Sequence, residues 1–237
     1  MILILKTGSA PATINAVYGD FENWITAIMQ LNEAECCIHS VGNYDTLPPN
    51  QDYSGIIITG SPLMVTDLDL KESKICKWLL DMQRNGTAIL GICFGHQLLC
   101  VLNGGSVGNN ISGIKIGSAK TYLTKFAKHD KLLGALPSVF EVYKSHRQSL
   151  LQLPLSSEIL AMDDCGIIDA VKFGINSWGL QFHPEFNGSI TRFYLQEKYN
   201  TLSAEGIDVQ DLLKNVVDVD YGEIILKRFK EIAMSNR

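Results

Sequence analysis

Long apolar runs are missing from this 237-residue chain. No segment approaches the roughly 20 apolar residues that a membrane-crossing helix needs, so a membrane-spanning protein is not expected. The start, Met-Ile-Leu-Ile-Leu-Lys, lacks a basic region and an extended apolar stretch, and it reads as a first strand and not as a secretion signal. Positive charge is also scarce: 20 Lys and Arg stand against 25 Asp and Glu, a net charge of −5. With no basic cluster, nucleic acid is not an expected partner. The six cysteines (Cys36, Cys37, Cys76, Cys93, Cys100 and Cys165) form no Cys-x-x-Cys pair and no zinc spacing. Reduced thiols in a cytoplasm fit that pattern, and neither a metal nor a cofactor is implied. Repeats and low-complexity segments are absent too. What is present is an ordinary apolar share of 46% and enough length to bury a full core in one α/β domain.

Strand-like and helix-like segments alternate along the chain. Strands are predicted at Ile2–Leu5, Cys36–Val41, Gly55–Ile58 and Ala88–Ile92, with helices at Phe21–Leu31 (Asp20 as N-cap), Lys71–Gln83 and Phe94–Leu102. After a glycine-rich loop at Asn103–Gly113 the pattern turns to short strands: Lys115–Leu123, Val139–Lys144, Glu158–Met162, Ile167–Phe173 and Trp178–Phe182. Helix resumes at Asn187–Tyr199. This alternation predicts a mostly parallel sheet flanked by helices, with an antiparallel strand patch or sheet extension in the second half. A single domain over 1–237 is expected, its core at about 1–195 and C-terminal helices at about 196–237. From Val219 to Ile232 the residues Tyr221, Ile224, Ile225, Phe229 and Ile232 share a helical face, which either packs on the domain or forms a homodimer or partner surface.

One segment carries the chemistry. Residues 87–97 read Thr-Ala-Ile-Leu-Gly-Ile-Cys-Phe-Gly-His-Gln, a buried-strand pattern ending in a cysteine framed by Gly91 and Gly95. That is the spacing of a nucleophile elbow with cysteine in place of serine. Flanking side chains would collide with the backbone in so sharp a turn, hence the glycines. At the N-terminus of the following helix, the dipole and free N–H groups stabilise an anionic sulfur. A buried structural cysteine is the blander reading, which suits the other five. A base stands far downstream, where Ser177 to Phe182 reads as a strand leading into His183-Pro184-Glu185. In extended geometry His183 and Glu185 project together, so the carboxylate can hold the imidazole in one tautomer and stabilise its protonated form.

Four separated motifs, Thr59-Gly60-Ser61-Pro62, Gly91 to Gln97, Ser145-His146 and Gln181 to Glu185, stand in the order and at roughly the spacing found in class I, triad-type glutamine amidotransferases. The chain resembles that family, and most of all the glutaminase domain of GMP synthase and its free-standing relatives. The resemblance implies a flavodoxin-like α/β fold and hydrolysis of a γ-glutamyl amide through a Cys93 thioester, with His183 as base and Glu185 orienting it. It also implies an oxyanion site from the backbone N–H groups of Phe94 and Gly60, and substrate contacts from Gln97 and from the Ser145-His146 loop. Gln97 could instead be a buried or capping polar residue, and His146 a structural surface histidine. His39, His96 and His129 are left structural.

Two departures from the family pattern stand out. Where relatives read Ser-His-Gly-Asp, this chain has Ser145-His146-Arg147-Gln148, which bears on selectivity for glutamine. Arg147 could meet an extra carboxylate on a longer substrate. Beyond residue 190 there is no Walker pattern and no Ser-Gly-Gly-Val-Asp-Ser loop. The expectation is therefore a glutaminase subunit that hands ammonia to a synthetase subunit, with a free-standing γ-glutamyl peptidase as the alternative. A non-catalytic regulatory domain is the remaining reading, disfavoured because all three triad residues are present.

Overall fold

A computed structural model describes residues 1–42, 44–70 and 73–235. In chain order the strands are β1 (Ile2–Lys6), β2 (Cys36–Ser40), β3 (Gly55–Ile58), β4 (Ala88–Ile92), β5 (Ser106–Asn109), β6 (Lys115–Leu123), β7 (Val139–His146), β8 (Gln148–Gln152), β9 (Glu158–Met162), β10 (Ile168–Gly174) and β11 (Ser177–Leu180). The helices are α1 (Ala12–Tyr18), α2 (Phe21–Met29), α3 (Lys74–Arg84), α4 (Phe94–Leu102), α5 (Gly188–Glu197), α6 (Tyr199–Ala204), α7 (Val209–Lys214) and α8 (Tyr221–Ser235). Single 3₁₀ turns lie at Val65–Asp67 and Lys125–His129.

Nine strands form one sheet in the order β2-β1-β3-β4-β11-β10-β9-β6-β7. The five strands from β2 to β11 run parallel and the remainder antiparallel, which is the mixed α/β sheet that the strand pattern predicts. Parallel strands joined by crossover helices are covered on both faces, so they read as continuous apolar runs. β4 is accordingly buried at all five positions. Its alternate residues divide between two cores. Leu90 and Ile92 join Ile2, Ile4 and Ile57 beneath α2 and α8, whereas Ile89 joins Leu3, Leu5, Ile56 and Ile58 against α3 and α4.

Several boundaries differ from the sequence reading, each for a local reason. β11, grouped above with the antiparallel strands, is the seam of the sheet. It pairs antiparallel with β10 across a tight turn, and parallel with β4 in the register Trp178 with Leu90 and Leu180 with Ile92. The glycine-rich stretch and the segment after His146 hide β5 and β8, a separate two-stranded ribbon whose residues lack strong strand composition. α1, only seven residues long after Pro11, has no counterpart in the sequence reading either. The start expected for α3 at Lys71 lies outside the described residues. Within them, the Ser73 hydroxyl caps the helix by accepting from the Cys76 N–H at 3.3 Å. In α8 the apolar face is covered by the chain's own core through Ile225, Leu226, Phe229 and Ala233, and Ile224 is left 42% exposed off that face.

Candidate functional site

Cys93 is where β4 turns into α4. Its backbone has φ 49° and ψ −96°, a conformation costly for a residue with a side chain and held only because the surroundings fix it. The Cys93 N–H donates to the Leu180 carbonyl of β11 at 2.7 Å, and its carbonyl accepts from the Gln97 N–H at 3.1 Å, which begins the helix. Both framing glycines are sterically required. A Cβ at Gly91 would lie 2.4 Å from the Gly95 carbonyl oxygen, and one at Gly95 would lie 2.5 Å from that of Ile58. Phe94 carries one of the first-turn N–H groups that a helix leaves without an intrahelical partner.

His183 arrives from the end of β11, its N–H donating to the Tyr143 carbonyl at 2.8 Å. Residues 183–186 form a turn and not the extended segment expected, with the Phe186 N–H on the His183 carbonyl at 3.3 Å and Pro184 preset for the bend. The turn folds Glu185 back, so that its Oε1 lies 2.7 Å from His183 Nδ1, both side chains being almost fully buried. The imidazole is sandwiched between Phe186, stacked at 4.1 Å, and Phe21 of α2 at 6.1 Å. Burial alone would push the His183 pKa down. The Glu185 carboxylate and, after it, the neighbouring Cys93 sulfur reverse this and raise it to about 10. Cys93, His183 and Glu185 are thus all buried in one place, with Glu185 bonded to His183 and both Cys93 and His183 beside Gly60.

The loop after β3 closes over this chain. A Cβ at Gly60 would come within 2.9 Å of His183 Cε1. Thr7 Oγ lies 2.9 Å from the Thr59 carbonyl oxygen and 3.2 Å from that of Gly60, which also accepts from Thr59 Oγ at 3.0 Å. Because a trans peptide holds N–H and C=O on opposite sides, these bonds turn the Gly60 and Ser61 N–H groups away from Thr7.

Gln97 is buried, and its amide donates to the Gln148 carbonyl at 2.8 Å and to Gln181 Oε1 at 3.2 Å. Its own Oε1 is therefore the end available to a ligand. Gln181 Nε2 touches the Cys93 sulfur at 3.8 Å, and the Ser145 carbonyl oxygen lies 3.9 Å from it. His146 is 5% exposed, which rules out the surface reading. Burial, then the nearby Lys144 charge, lower its pKa to about 3, and its Nδ1 lies 2.9 Å from the Gln148 carbonyl. Since that carbonyl only accepts, the neutral ring places its proton on Nδ1. Arg147 is clasped by Glu205, with contacts of 2.5 and 3.1 Å. A substrate carboxylate would therefore meet Arg147 only in competition with this half-exposed pair. Gln148 is turned inward, its amide donating to Thr66 Oγ at 2.7 Å. His96, fully buried, packs against Gly179, where a Cβ would come within 2.4 Å of its ring.

Two cavities meet at the sulfur. One, of about 220 Å³, is walled by Met64, Phe94, Gln97, Ile114, His146 and Arg147. The other, of about 120 Å³, is walled by Ser9, Pro11, Phe21, His183 and Tyr194. Ser61, Pro62, Cys93, Ser145 and Lys198 line both. A larger and mostly apolar cavity of about 370 Å³, bordered by Leu68, Leu80 and Val101, touches none of the triad-pattern residues. Sequence reasoning missed Phe21, Thr7 and Lys198 at this site. None belongs to a local motif, and each reaches it from an element distant in the chain.

The model of the glutamine amidotransferase class I family matches residues 17–200. Gamma-glutamyl peptidase 5 of Arabidopsis thaliana is 34% identical over 143 residues, which cover 58% of this chain and 56% of that protein. The chain thus spans little more than half the length of that relative. A component subunit of the glutamine-hydrolyzing GMP synthase of Methanocaldococcus jannaschii is 32% identical over 143 residues, 60% of this chain and 69% of that one. Among solved structures, a glutamine amidotransferase from Thermotoga maritima superposes with a TM-score of 0.75 at 16% identity, over 98% of both chains, which bears on fold alone. Among the described residues no helix is long and apolar enough to cross a membrane. The chain belongs to the class I glutamine amidotransferases, the family of cysteine-triad amidohydrolases.

Proposed function

We propose that this protein hydrolyses the γ-amide of glutamine or of a closely related γ-glutamyl compound through a thioester on Cys93. The observation that carries this reading is the 2.7 Å contact of Glu185 with His183, on a ring that lines the same cavity as Cys93. The sulfur attacks the γ-carbonyl carbon, and the oxyanion that forms is stabilised by the N–H groups of Phe94 and Gly60. As the C–N bond breaks, the His183 imidazolium gives its proton to the departing nitrogen. Water then attacks the thioester, His183 takes a proton from it, and glutamate leaves as the sulfur is released. Gln97 and the Ser145-His146 loop hold the glutamyl end. The GMP synthase relative is, by its name, one subunit of a larger assembly, so a synthetase subunit that takes up the ammonia is the corresponding partner here.

One observation favours γ-glutamyl peptides as a second substrate class. The cavity on the His183 side is bordered by Ser9 and Pro62, both solvent-exposed, so a leaving group larger than ammonia has a way out. The deciding assay is purified protein against glutamine, glutathione and other γ-glutamyl peptides, with Cys93→Ala as control. Turnover of glutamine, rising when a synthetase partner is added, supports the amidotransferase reading; efficient turnover of peptides and none of glutamine replaces it with the peptidase. If Cys93→Ala keeps wild-type amide hydrolysis, both readings fall.

A further inference from the structure

Lys198, the residue that ends α5, is a cation at the junction of the two cavities. An ammonium ion carries three donors, and burying it without an anion is unfavourable. Among the described residues its one hydrogen-bond contact is to Ser145 Oγ at 3.5 Å, and the Tyr194 ring lies 5.7 Å away. No carboxylate of the described residues pairs with it. The negative charges felt at this ammonium are those of the Cys93 sulfur and, after it, of Glu205, and Glu205 is already clasped by Arg147. Among the described residues no acidic side chain lines either cavity, and the other basic groups there are engaged: Arg147 with Glu205, and His146 held neutral by burial. A substrate carrying a carboxylate would supply the missing anion in a site that water only partly reaches, where a charge pair is strong.

We propose that Lys198 is a specificity-determining residue whose ammonium ion binds a carboxylate of the substrate beside Cys93. The proposal rests on the γ-glutamyl reading above for the identity of the substrate, but the charge preference itself can be read without turnover. Iodoacetate and iodoacetamide alkylate a thiol by the same displacement of iodide and differ in one negative charge. Their rates at the Cys93 peptide, measured by mass spectrometry, give a ratio for the wild type, Lys198→Met and Lys198→Arg. The ratio of iodoacetate to iodoacetamide should fall on the order of tenfold or more in Lys198→Met and stay near wild type in Lys198→Arg. An unchanged ratio in Lys198→Met overturns the proposal, as does an equal fall in Lys198→Arg.

A second arm identifies the carboxylate. Lys198→Met should raise KM with little change in kcat, and the effect should vanish for the substrate in which the bound carboxylate is blocked. Loss of the effect on esterifying the α-carboxylate of the γ-glutamyl group assigns the acyl side. Loss of it on amidating the peptide C-terminus assigns the leaving side. A KM effect that survives both blocks overturns the proposal. Should the alkylation ratio fall while the wild type turns over no γ-glutamyl compound, the carboxylate site stands and the proposed substrate class does not.

Discussion

Glu185 Oε1 lies 2.7 Å from His183 Nδ1 because Pro184 bends the chain between them, bringing the carboxylate back onto the ring. The short bond assigns the Nδ1 proton to this contact and leaves Nε2 for the sulfur. Phe186, at the end of the same turn, stacks on the imidazole and limits its rotation. Four consecutive residues thus supply much of the orientation of the proposed base, and Phe21 of α2 closes the other face of the ring.

Replacing His183 by Ala should lower kcat by several orders of magnitude. Glu185→Gln should be milder by roughly 10²-fold, since the carboxylate orients the ring and does not carry the proton. Steady-state kinetics on glutamine check this, and small equal losses at both positions would assign thiol activation to some other group.

Titration of His183 should be displaced upward, and the sign follows from its two states. Its native pKa of about 10 exceeds the ordinary 6.5, so the protonated ring stabilises the fold fully below pH 6.5. That contribution is lost as pH rises through about 10. Urea denaturation of wild type and His183→Asn between pH 6 and 10.5 should show the difference in stability shrinking toward the alkaline end, and a flat difference contradicts the raised pKa. In Glu185→Gln, the His183 ring resonances should titrate at lower pH than in wild type, because the largest raising influence is gone.

Gly95→Ala and Gly60→Ala should separate stability from chemistry. At Gly95 the new Cβ meets the Ile58 backbone at 2.5 Å, which cannot yield cheaply, so a loss of about 1–3 kcal/mol is expected in urea denaturation. At Gly60 the obstacle is the His183 ring at 2.9 Å. There kcat should fall at least tenfold, a larger effect than the change in stability. Wild-type kcat in Gly60→Ala would show that the loop does not need to lie against the imidazole.

Thr7→Val removes the hydroxyl shared by the Thr59 and Gly60 carbonyls without changing the side-chain shape. Leaving buried acceptors short of a donor costs roughly 1–3 kcal/mol. If those bonds aim the Gly60 N–H, kcat should drop with KM little altered. Loss of stability with unchanged kcat would reduce Thr7 to a packing role.

Much of the site was legible because its chemistry is written in short local patterns. The apolar run Ala88 to Ile92, two glycines around Cys93 and a helical continuation demand a strand, a sharp turn and a helix, since backbone sterics at Gly91 and Gly95 allow little else. His183 and Glu185 are two apart, so their proximity follows from the chain itself, although the sequence suggested an extended segment where a turn exists. Motif order and spacing sufficed for the family.

What the sequence by itself determined, then, is the elements with strong local character and the pairing of near neighbours, because those depend on backbone geometry over a few residues. Only the tertiary structure decided the position of β11 between β4 and β10, since register and direction are chosen by which faces can be buried together. It also decided the fate of the charges. Arg147 looks free in sequence until Glu205, 58 residues on, is folded against it, and Lys198 looks like an ordinary helix-end lysine until α5 sets it in the two cavities that Cys93 lines. Charge pairing acts through space over a few ångströms, and for residues far apart in the chain sequence separation carries almost no information about which partners those ångströms will contain.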